Sequence, residues 1–466
     1  MRKVAVIGAG ITGLAAAHRL LERRAAGDPV EVMVYEAKER PGGVIVTDRS
    51  QQVPLEGGPD SLLTRKPAAV RLATDLGLAD QLIPTHPQAR GADIYWNGRL
   101  HPIPAGLLAG VPGKFAPLLR SPLLGPGAKV RLLADVFLPR LRRKGSDVSL
   151  GRLLEHHFGA ALVDRVAAPM LSGIYAGDIR QLSARAAYPQ VLEWEAQYRS
   201  LIRAVASLPA PPPGPRPPVF MTLASGLETL PDELARRLGD RLRLGVVVRA
   251  LEPDAGGYRV MTDVDRERYD GVIVATPAAA AAELVEGLEP AAAALLKTIP
   301  YARLAVVGLV FDPSAIRLPA GKTGFLVPAG QALAMTAATY VSQKWQYPAP
   351  LPYWPLRVFY GRSGDEAAVN QDDAALIGRA LSELKQVVDL RADPRHVRVF
   401  RHTPGMPQYT VGHGERIQAL QRLTGDAVPL KLAGAAYRGV GIPDCVRDGE
   451  AAAEAVLQTL DLTRPA

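Results

Sequence analysis

Gly8, Gly10 and Gly13, with Ala9, Ile11 and Thr12 between them, stand at G-x-G-x-x-G spacing in a chain of 466 residues. The apolar run Val4–Ile7 precedes them and Leu14-Ala15-Ala16-Ala17 follows, the pattern of a strand turning into a helix. In that setting each glycine has its own task. Gly8 makes the tight turn, Gly10 lets backbone come close to a pyrophosphate, and Gly13 lets helix and strand pack closely. The first turn of a helix carries N–H groups without intrahelical partners and the positive end of the dipole, so an anion binds there. A second apolar run, Val30–Tyr35, ends in Glu36, about 20 residues beyond the glycines, where an acid accepts hydrogen bonds from a ribose hydroxyl. The chemistry these residues support is dinucleotide binding.

Two further glycine groups decide which dinucleotide. After Glu36 and Ala37 comes Pro41-Gly42-Gly43-Val44, either an ordinary surface turn or a second close backbone approach to a long, extended cofactor. Near the other end stands Leu432-Ala-Gly434-Ala-Ala-Tyr437-Arg438-Gly439-Val440-Gly441-Ile442-Pro443-Asp444. A strand, a glycine-rich loop and a helix there offer a second helix N-terminus, suited to the isoalloxazine end of FAD. A plain strand-to-helix connection does not need so many glycines, so FAD is favoured over NAD. Other reactive groups fall short of a site. His156-His157 and His413 complete no metal-ligand set, and Cys445, the one cysteine, has no His-Cys arrangement around it.

These motifs need elements to position them. Residues 1–75 read as strand, helix, strand, a glycine-rich stretch Glu56-Gly57-Gly58-Pro59-Asp60-Ser61 and a helix near Pro67–Leu76. From about 90 to 205, Leu and Ala recur at helical spacing, with Ser149 a predicted N-cap. Pro209–Pro218 then interrupts with prolines that lack backbone donors. Beyond it, strand-like runs stand at Leu244–Val248, Tyr258–Thr262 and Gly271–Thr276. A β-rich region follows between about 300 and 410, then a strand at Pro429–Gly434 and a helix from Asp448 to Leu460. The expected fold class is α/β. A discontinuous Rossmann-like FAD-binding domain takes 1–80, 219–295 and 415–466, an inserted α-helical domain takes 90–208, and a mixed or antiparallel-sheet substrate domain takes 296–414.

Composition bounds the partners. Hydrophobic residues at 48% and charged at 22% describe a globular protein with a large core. The net charge of +9 favours acidic partners, but dispersed arginines without a recognition motif argue against nucleic acid. Arg140–Lys144, beside the apolar Val130–Leu138, suits a membrane surface or simply a solvated helix end. The lone cysteine suits a reducing cytoplasm, the first strand leaves no room for a presequence, and no run of 18 apolar residues occurs.

The chain resembles the oxygen-dependent porphyrinogen oxidases of haem synthesis, within the wider group of FAD-containing amine oxidases and phytoene desaturases. The resemblance runs from Lys3 to about Val456 and rests on several stretches. They are Glu56–Ser61, Asn97-Gly-Arg-Leu-His-Pro-Ile-Pro104, Ser172-Gly-Ile-Tyr-Ala-Gly-Asp178, Ser342-Gln-Lys344-Trp345, Leu356-Arg357-Val-Phe359-Tyr-Gly361, Met406–His413 and the C-terminal block. It implies that Gly8–Gly13 hold the FAD pyrophosphate and Glu36 the adenosine ribose. Ala37, Gly43, Val44, Gly58, Pro59, Asp60 and Ser61 would lie against the cofactor, Val248 on its adenine side, and Val440, Gly441 and Ile442 at the flavin ring. Val44 and Gly414 depart from many relatives. The implied reaction takes six electrons from a porphyrinogen in three two-electron rounds, O2 becoming H2O2, with coproporphyrinogen III preferred to protoporphyrinogen IX. FAD carries the redox step, so no catalytic triad and no metal are expected. Lys344, Arg357 and Arg438 could bind the substrate's carboxylates or form interdomain ion pairs; Tyr175 and Tyr409 could line an apolar cavity or the core. The partners expected are the tetrapyrrole and O2, with transient haem-pathway contacts and a peripheral membrane contact also admitted. The rivals are an amine oxidase, a carotenoid desaturase and a non-catalytic flavin-binding scaffold.

Overall fold

The computed structural model describes residues 1–138, 141, 146–209, 217–425 and 429–462. Pro209–Pro218 apart from its ends, and Arg140–Lys144 apart from Leu141, lie outside the described residues.

A five-stranded parallel sheet carries the first motif, in the order Leu242–Arg243, Val30–Tyr35, Arg2–Ile7, Gly271–Val274 and Leu430–Leu432. Three distant parts of the chain supply it, as expected for a discontinuous cofactor-binding domain. At its centre Val4–Ile7 and Gly271–Val274 read as unbroken apolar runs because both faces are covered there. Val4, Val6 and Ile273 face a layer holding the helices Ile11–Ala25 and Ile442–Leu462, whereas Ala5, Ile7, Val272 and Val274 face Tyr258, Tyr269 and Ala281. Gly449 lets the two helices cross closely: a Cβ there would stand 2.2 Å from the Thr12 carbonyl oxygen.

The second sheet has seven strands, in the order His396–Pro407, Tyr301–Phe311, Trp354–Tyr360, Ala337–Tyr340, Gly324–Leu326, Asp93–Trp96 and Arg99–Pro102. It is mixed, since Gly324–Leu326 runs parallel to Asp93–Trp96. The helical reading of 90–208 therefore started too early. Asn97 and Gly98 both take positive φ, 50° and 77°, and close a two-residue hairpin that adds two strands to this sheet. Asn-Gly between apolar runs is the strongest short hairpin signal, and it outweighs the leucine spacing that follows it.

The helices proper form a third unit: Leu150–Phe158, Ala168–Tyr175, Pro189–Tyr198 and Leu201–Ala206 pack around Leu153, Phe158, Leu171 and Trp194. Ser149 caps the first of them, its hydroxyl accepting from the Arg152 N–H at 3.2 Å. His157 serves this unit, its Nδ1 lying 2.6 Å from the buried Asp135 carboxylate.

Two boundaries move. Leu244–Val248 is mainly a connection between Leu242–Arg243 and the strand Val248–Asp254, because Gly245 at φ 68° breaks the extended run. The last helix begins at Ile442, not Asp448, because Pro443 in a first turn gives up only an N–H that would be unpartnered anyway. Among the described residues no helix is long and apolar enough to cross a membrane.

Candidate cofactor and substrate site

The first turn of Ile11–Ala25 opens at the carboxyl end of Arg2–Ile7, and Gly10 caps it without a side-chain bond. The glycines divide the work as their spacing implied. A Cβ on Gly13 would stand 1.9 Å from the Gly8 carbonyl oxygen, and one on Gly8 would stand 3.0 Å from that of Ala275. A Cβ on Gly10 would meet nothing within 4 Å. Gly8 and Gly13 thus serve the protein's own packing, while Gly10 borders open space. Glu36 is buried and accepts from the N–H groups of Ala9 at 2.7 Å and Lys38 at 3.0 Å, which places its carboxylate beside the turn and Ala37 at the rim. Val246 donates to the Glu36 carbonyl, so the start of the Val248 strand runs alongside this corner. Gly42 donates to the Ala9 carbonyl, and a Cβ on Gly43 would stand 3.3 Å from the Gly10 Cα. Pro41–Gly43 is therefore a second backbone wall over the glycine turn rather than a free surface turn. Val44 is 45% exposed beside it, and its carbonyl oxygen would stand 1.9 Å from a Cβ on Gly58.

The loop Glu56–Ser61 is held from the seven-stranded sheet. Arg357, 1% exposed, donates from Nε to the Glu56 carbonyl at 2.7 Å, from Nη2 to the Gly58 carbonyl, and pairs through Nη1 with Asp60 at 2.9 Å. Lys344 reaches the same Asp60 oxygen at 2.7 Å. Burial alone would raise the Asp60 pKa, but Lys344 and then Arg357 outweigh it and hold it at about 2. Both cations, expected as carboxylate binders or ion pairs, are thus engaged as ion pairs that clamp Gly58, Pro59, Asp60 and Ser61 in place.

Glu56 points the other way, accepting from the Leu227 N–H at 2.7 Å and the Thr47 hydroxyl at 2.8 Å. Its burial is the largest influence and pushes its pKa up to about 7, against the lowering effect of those bonds. An acid whose folded pKa lies above its unfolded value binds more protons when folded, so stability falls as pH rises between the two values. Glu56 should therefore cost roughly 3 kcal/mol between pH 4.5 and about 7, at 1.4 kcal/mol per unit. Urea unfolding of wild type and Glu56→Gln across that range should converge at the acid end and separate toward pH 7.

The C-terminal loop supplies the second helix N-terminus. Tyr409, expected to line a cavity or the core, is buried and acts as a strut: its hydroxyl accepts from the Gly439 N–H at 2.7 Å and donates to the Ala435 carbonyl at 2.6 Å. His413 stacks on its ring at 4.1 Å and lies 3.2 Å from the Tyr437 carbonyl. Arg438 pairs with Asp448 at 2.9 Å, and the other Asp448 oxygen accepts from the Gly434 N–H at 2.8 Å. Val440, Gly441 and Ile442 lead into the helix above Asp444, which pairs with Lys66 at 2.6 Å. Tyr175 is half-buried, edge-on to Tyr188 at 5.9 Å, and donates to the Ala187 carbonyl at 3.3 Å.

Sequence reasoning missed Asp444, Asp448 and Thr276. Thr276 sits at the carboxyl edge of the parallel sheet, 3.3 Å from where a Gly8 Cβ would be, and its buried hydroxyl oxygen lacks a partner. The signal was available: Thr276-Pro277 ends an apolar strand where ligands of such sheets bind.

A dinucleotide fits these residues. Open space borders Gly10, the Thr276 hydroxyl is unpartnered, Glu36 stands beside the turn, and Gly434 lies 3.7 Å (by its would-be Cβ) from the Thr12 hydroxyl, linking the two helix starts. Fold and site define a dinucleotide-binding protein with a discontinuous parallel-sheet domain. The chain belongs to the family of flavin-containing amine oxidoreductases, whose model matches residues 11–457. FAD is its cofactor. It is 35% identical to the coproporphyrinogen III oxidase of Bacillus subtilis, with 98% of each chain covered. It is 31% identical to the enzyme of that name from Staphylococcus aureus, covering 98% of this chain and 100% of that one. Among solved structures it resembles an Exiguobacterium sp. 255-15 protein provisionally assigned as a protoporphyrinogen oxidase, with a TM-score of 0.86, 33% identity and 98% and 99% coverage.

Proposed function

We propose that this protein oxidises a porphyrinogen to the porphyrin, with coproporphyrinogen III preferred to protoporphyrinogen IX. The observation that carries the reading is similarity to coproporphyrinogen III oxidases over 98% of the chain, spanning all three structural units. The overall balance is one porphyrinogen and three O2 giving one porphyrin and three H2O2. FAD, when bound, would supply the two-electron acceptor: in each round the substrate would lose a hydride to it and a second proton to solvent, and O2 would take up the two electrons and two protons as H2O2. The protein's part is to hold and dry the reactants. The turn at Gly10, Glu36 and Thr276 would hold the dinucleotide, the Tyr409–His413 pair fixes the loop at Tyr437–Gly439 that leads to Val440–Ile442, and the Arg357–Asp60–Lys344 clamp fixes the wall at Gly58–Ser61. Opposite these, the sheet face bearing Leu326 and Phe359 meets the helical unit near Gly173. Aromatisation makes the reaction strongly downhill, and the reading assigns the redox step to FAD rather than to a protein acid or base.

The test is to mix the purified holoprotein anaerobically with each porphyrinogen. Coproporphyrinogen III should bleach the oxidised flavin band, and O2 should then release fluorescent porphyrin and H2O2. A flavin band that neither porphyrinogen bleaches overturns the reading and favours an amine or polyene substrate, or a scaffold.

Peripheral membrane contact belongs to the same proposal. Val130 and Phe137, 69% and 85% exposed, stand on the helical unit with Leu133, and the sequence continues into Arg140-Leu-Arg-Arg-Lys144. Apolar anchors beside basic residues suit an anionic bilayer. Sedimentation with phosphatidylglycerol vesicles should carry wild type down and leave Phe137→Ser in solution. Equal sedimentation of the two disproves a contact through Phe137.

A further inference from the structure

The three cations singled out in the sequence for substrate carboxylates each have a protein carboxylate within 3 Å: Asp60 for Lys344 and Arg357, and Asp448 for Arg438. Arg362 differs. Its side chain is 15% exposed, and its nearest charged partner, Asp365, lies 3.9 Å away with 64% of its own side chain in solvent. Nη2 donates to the Val327 carbonyl at 3.3 Å, and Nε, the atom nearest Asp365, is buried without a hydrogen-bond partner. Burial presses the guanidinium's pKa down, with only Asp365 opposing it. A buried cation short of both charge and hydrogen-bond partners is costly unless an anion completes it.

The placement says which anion. Arg362 follows Trp354–Tyr360, on which Arg357 and Phe359 share the face turned toward the Glu56–Ser61 loop. Its Nη2 contact lies just past Gly324–Leu326, and Leu326 stands 3.8 Å from a would-be Cβ on Gly173. The next residue, Ser363, donates to the Ala176 carbonyl at 2.9 Å, where the helix Ala168–Tyr175 ends. Arg362 thus stands where the substrate-facing sheet meets the helical unit. It is not consumed in capping that helix, because Ser363 takes the Ala176 carbonyl and Gln408 takes that of Tyr175 at 2.8 Å.

We propose that Arg362 binds a carboxylate of the substrate from the rim of this cleft, through its unpartnered Nε and a terminal nitrogen. The inference rests on the porphyrinogen reading and adds a specificity residue to it. A planar guanidinium and a carboxylate form two parallel hydrogen bonds, so the contact orients the macrocycle as well as holding it. A substrate with carboxylates on all four rings can present one here in more orientations than a substrate with two, which favours coproporphyrinogen III.

Arg362→Gln keeps a donor for the Val327 carbonyl but removes the charge, and Arg362→Lys restores the charge without the fork. For coproporphyrinogen III, Arg362→Gln should raise KM about ten- to a hundredfold, the range for one hydrogen-bonded charge, while kcat and the visible flavin spectrum stay near wild type. Arg362→Lys should recover part of that loss. With the tetramethyl ester of coproporphyrinogen III, wild type and Arg362→Gln should have equal KM. An unchanged KM for Arg362→Gln on the free acid, or an equal rise on the ester, overturns the inference. Wild type that oxidises no porphyrinogen is a different failure, and it removes the reading on which the inference rests.

Discussion

Gly10→Val should leave the apoprotein folded and strip it of flavin. Gly10 has φ −66° and ψ 170°, ordinary for any residue, and a Cβ built there meets no protein atom within 4 Å. The apo melting temperature should therefore stay within about 2 °C of wild type, since substitutions that neither strain nor displace anything change stability little. On the proposed placement of the cofactor, the space entered is where the pyrophosphate approaches the helix N-terminus. Excluding it forfeits two or three charge-assisted hydrogen bonds, about 4 kcal/mol, or roughly a thousandfold in FAD affinity. Gly13→Ala makes the opposite case. Its Cβ would stand 1.9 Å from the Gly8 carbonyl oxygen, so strand and helix must part, at about 3 kcal/mol even without ligand. Flavin titration and apoprotein melting on the two variants separate the roles. A Gly10→Val protein that retains flavin would refute the placement of the dinucleotide.

Arg357→Met should be strongly destabilising, at about 3–5 kcal/mol in urea unfolding. Methionine fills similar volume, so the cost is not a cavity. It comes from the Glu56 and Gly58 carbonyls losing their donor and from Asp60 keeping only Lys344. The clamp also sets an acid limit. With a folded pKa of about 2 against 3.8 unfolded, Asp60 contributes stability that is complete above about pH 4 and lost as pH falls toward 2. At 1.4 kcal/mol per unit that contribution is roughly 2.5 kcal/mol. In Arg357→Met the acid transition should move to higher pH, because one of the two cations opposing burial is gone. An acid transition that does not move would mean Lys344 alone holds the carboxylate. The loop Glu56–Ser61 is also a wall of the cofactor site, so the variant should release flavin more readily at neutral pH.

Ion pairs of this kind were only half legible in the chain. Lys344, Arg357 and Arg438 stood out because they lie in recognisable motifs, but charge and spacing could not say whether each would meet a substrate or an aspartate. Asp60 lies almost 300 residues from Arg357, and that pairing is a property of how the loop Glu56–Ser61 docks on the seven-stranded sheet. Tyr409 is similar, since its two partners belong to a loop that returns from the parallel sheet. The hairpin at Asn97-Gly98 was legible and missed: local turn chemistry was present, and the leucine periodicity after it drew the boundary forward.

The amino-acid sequence by itself determined the local parts of this protein. The turn between Ile7 and Ile11, the acid at Glu36, the buried strand at Gly271–Val274 and the helix that follows Gly441 all depend on residues within a few positions of each other. Short-range sterics and apolar periodicity are enough to specify them. Tertiary structure alone decided which charges are spent and which are free. That outcome turns on burial and on partners hundreds of residues away, and it is what leaves Arg362, which the motifs did not single out, a buried cation short of an anion.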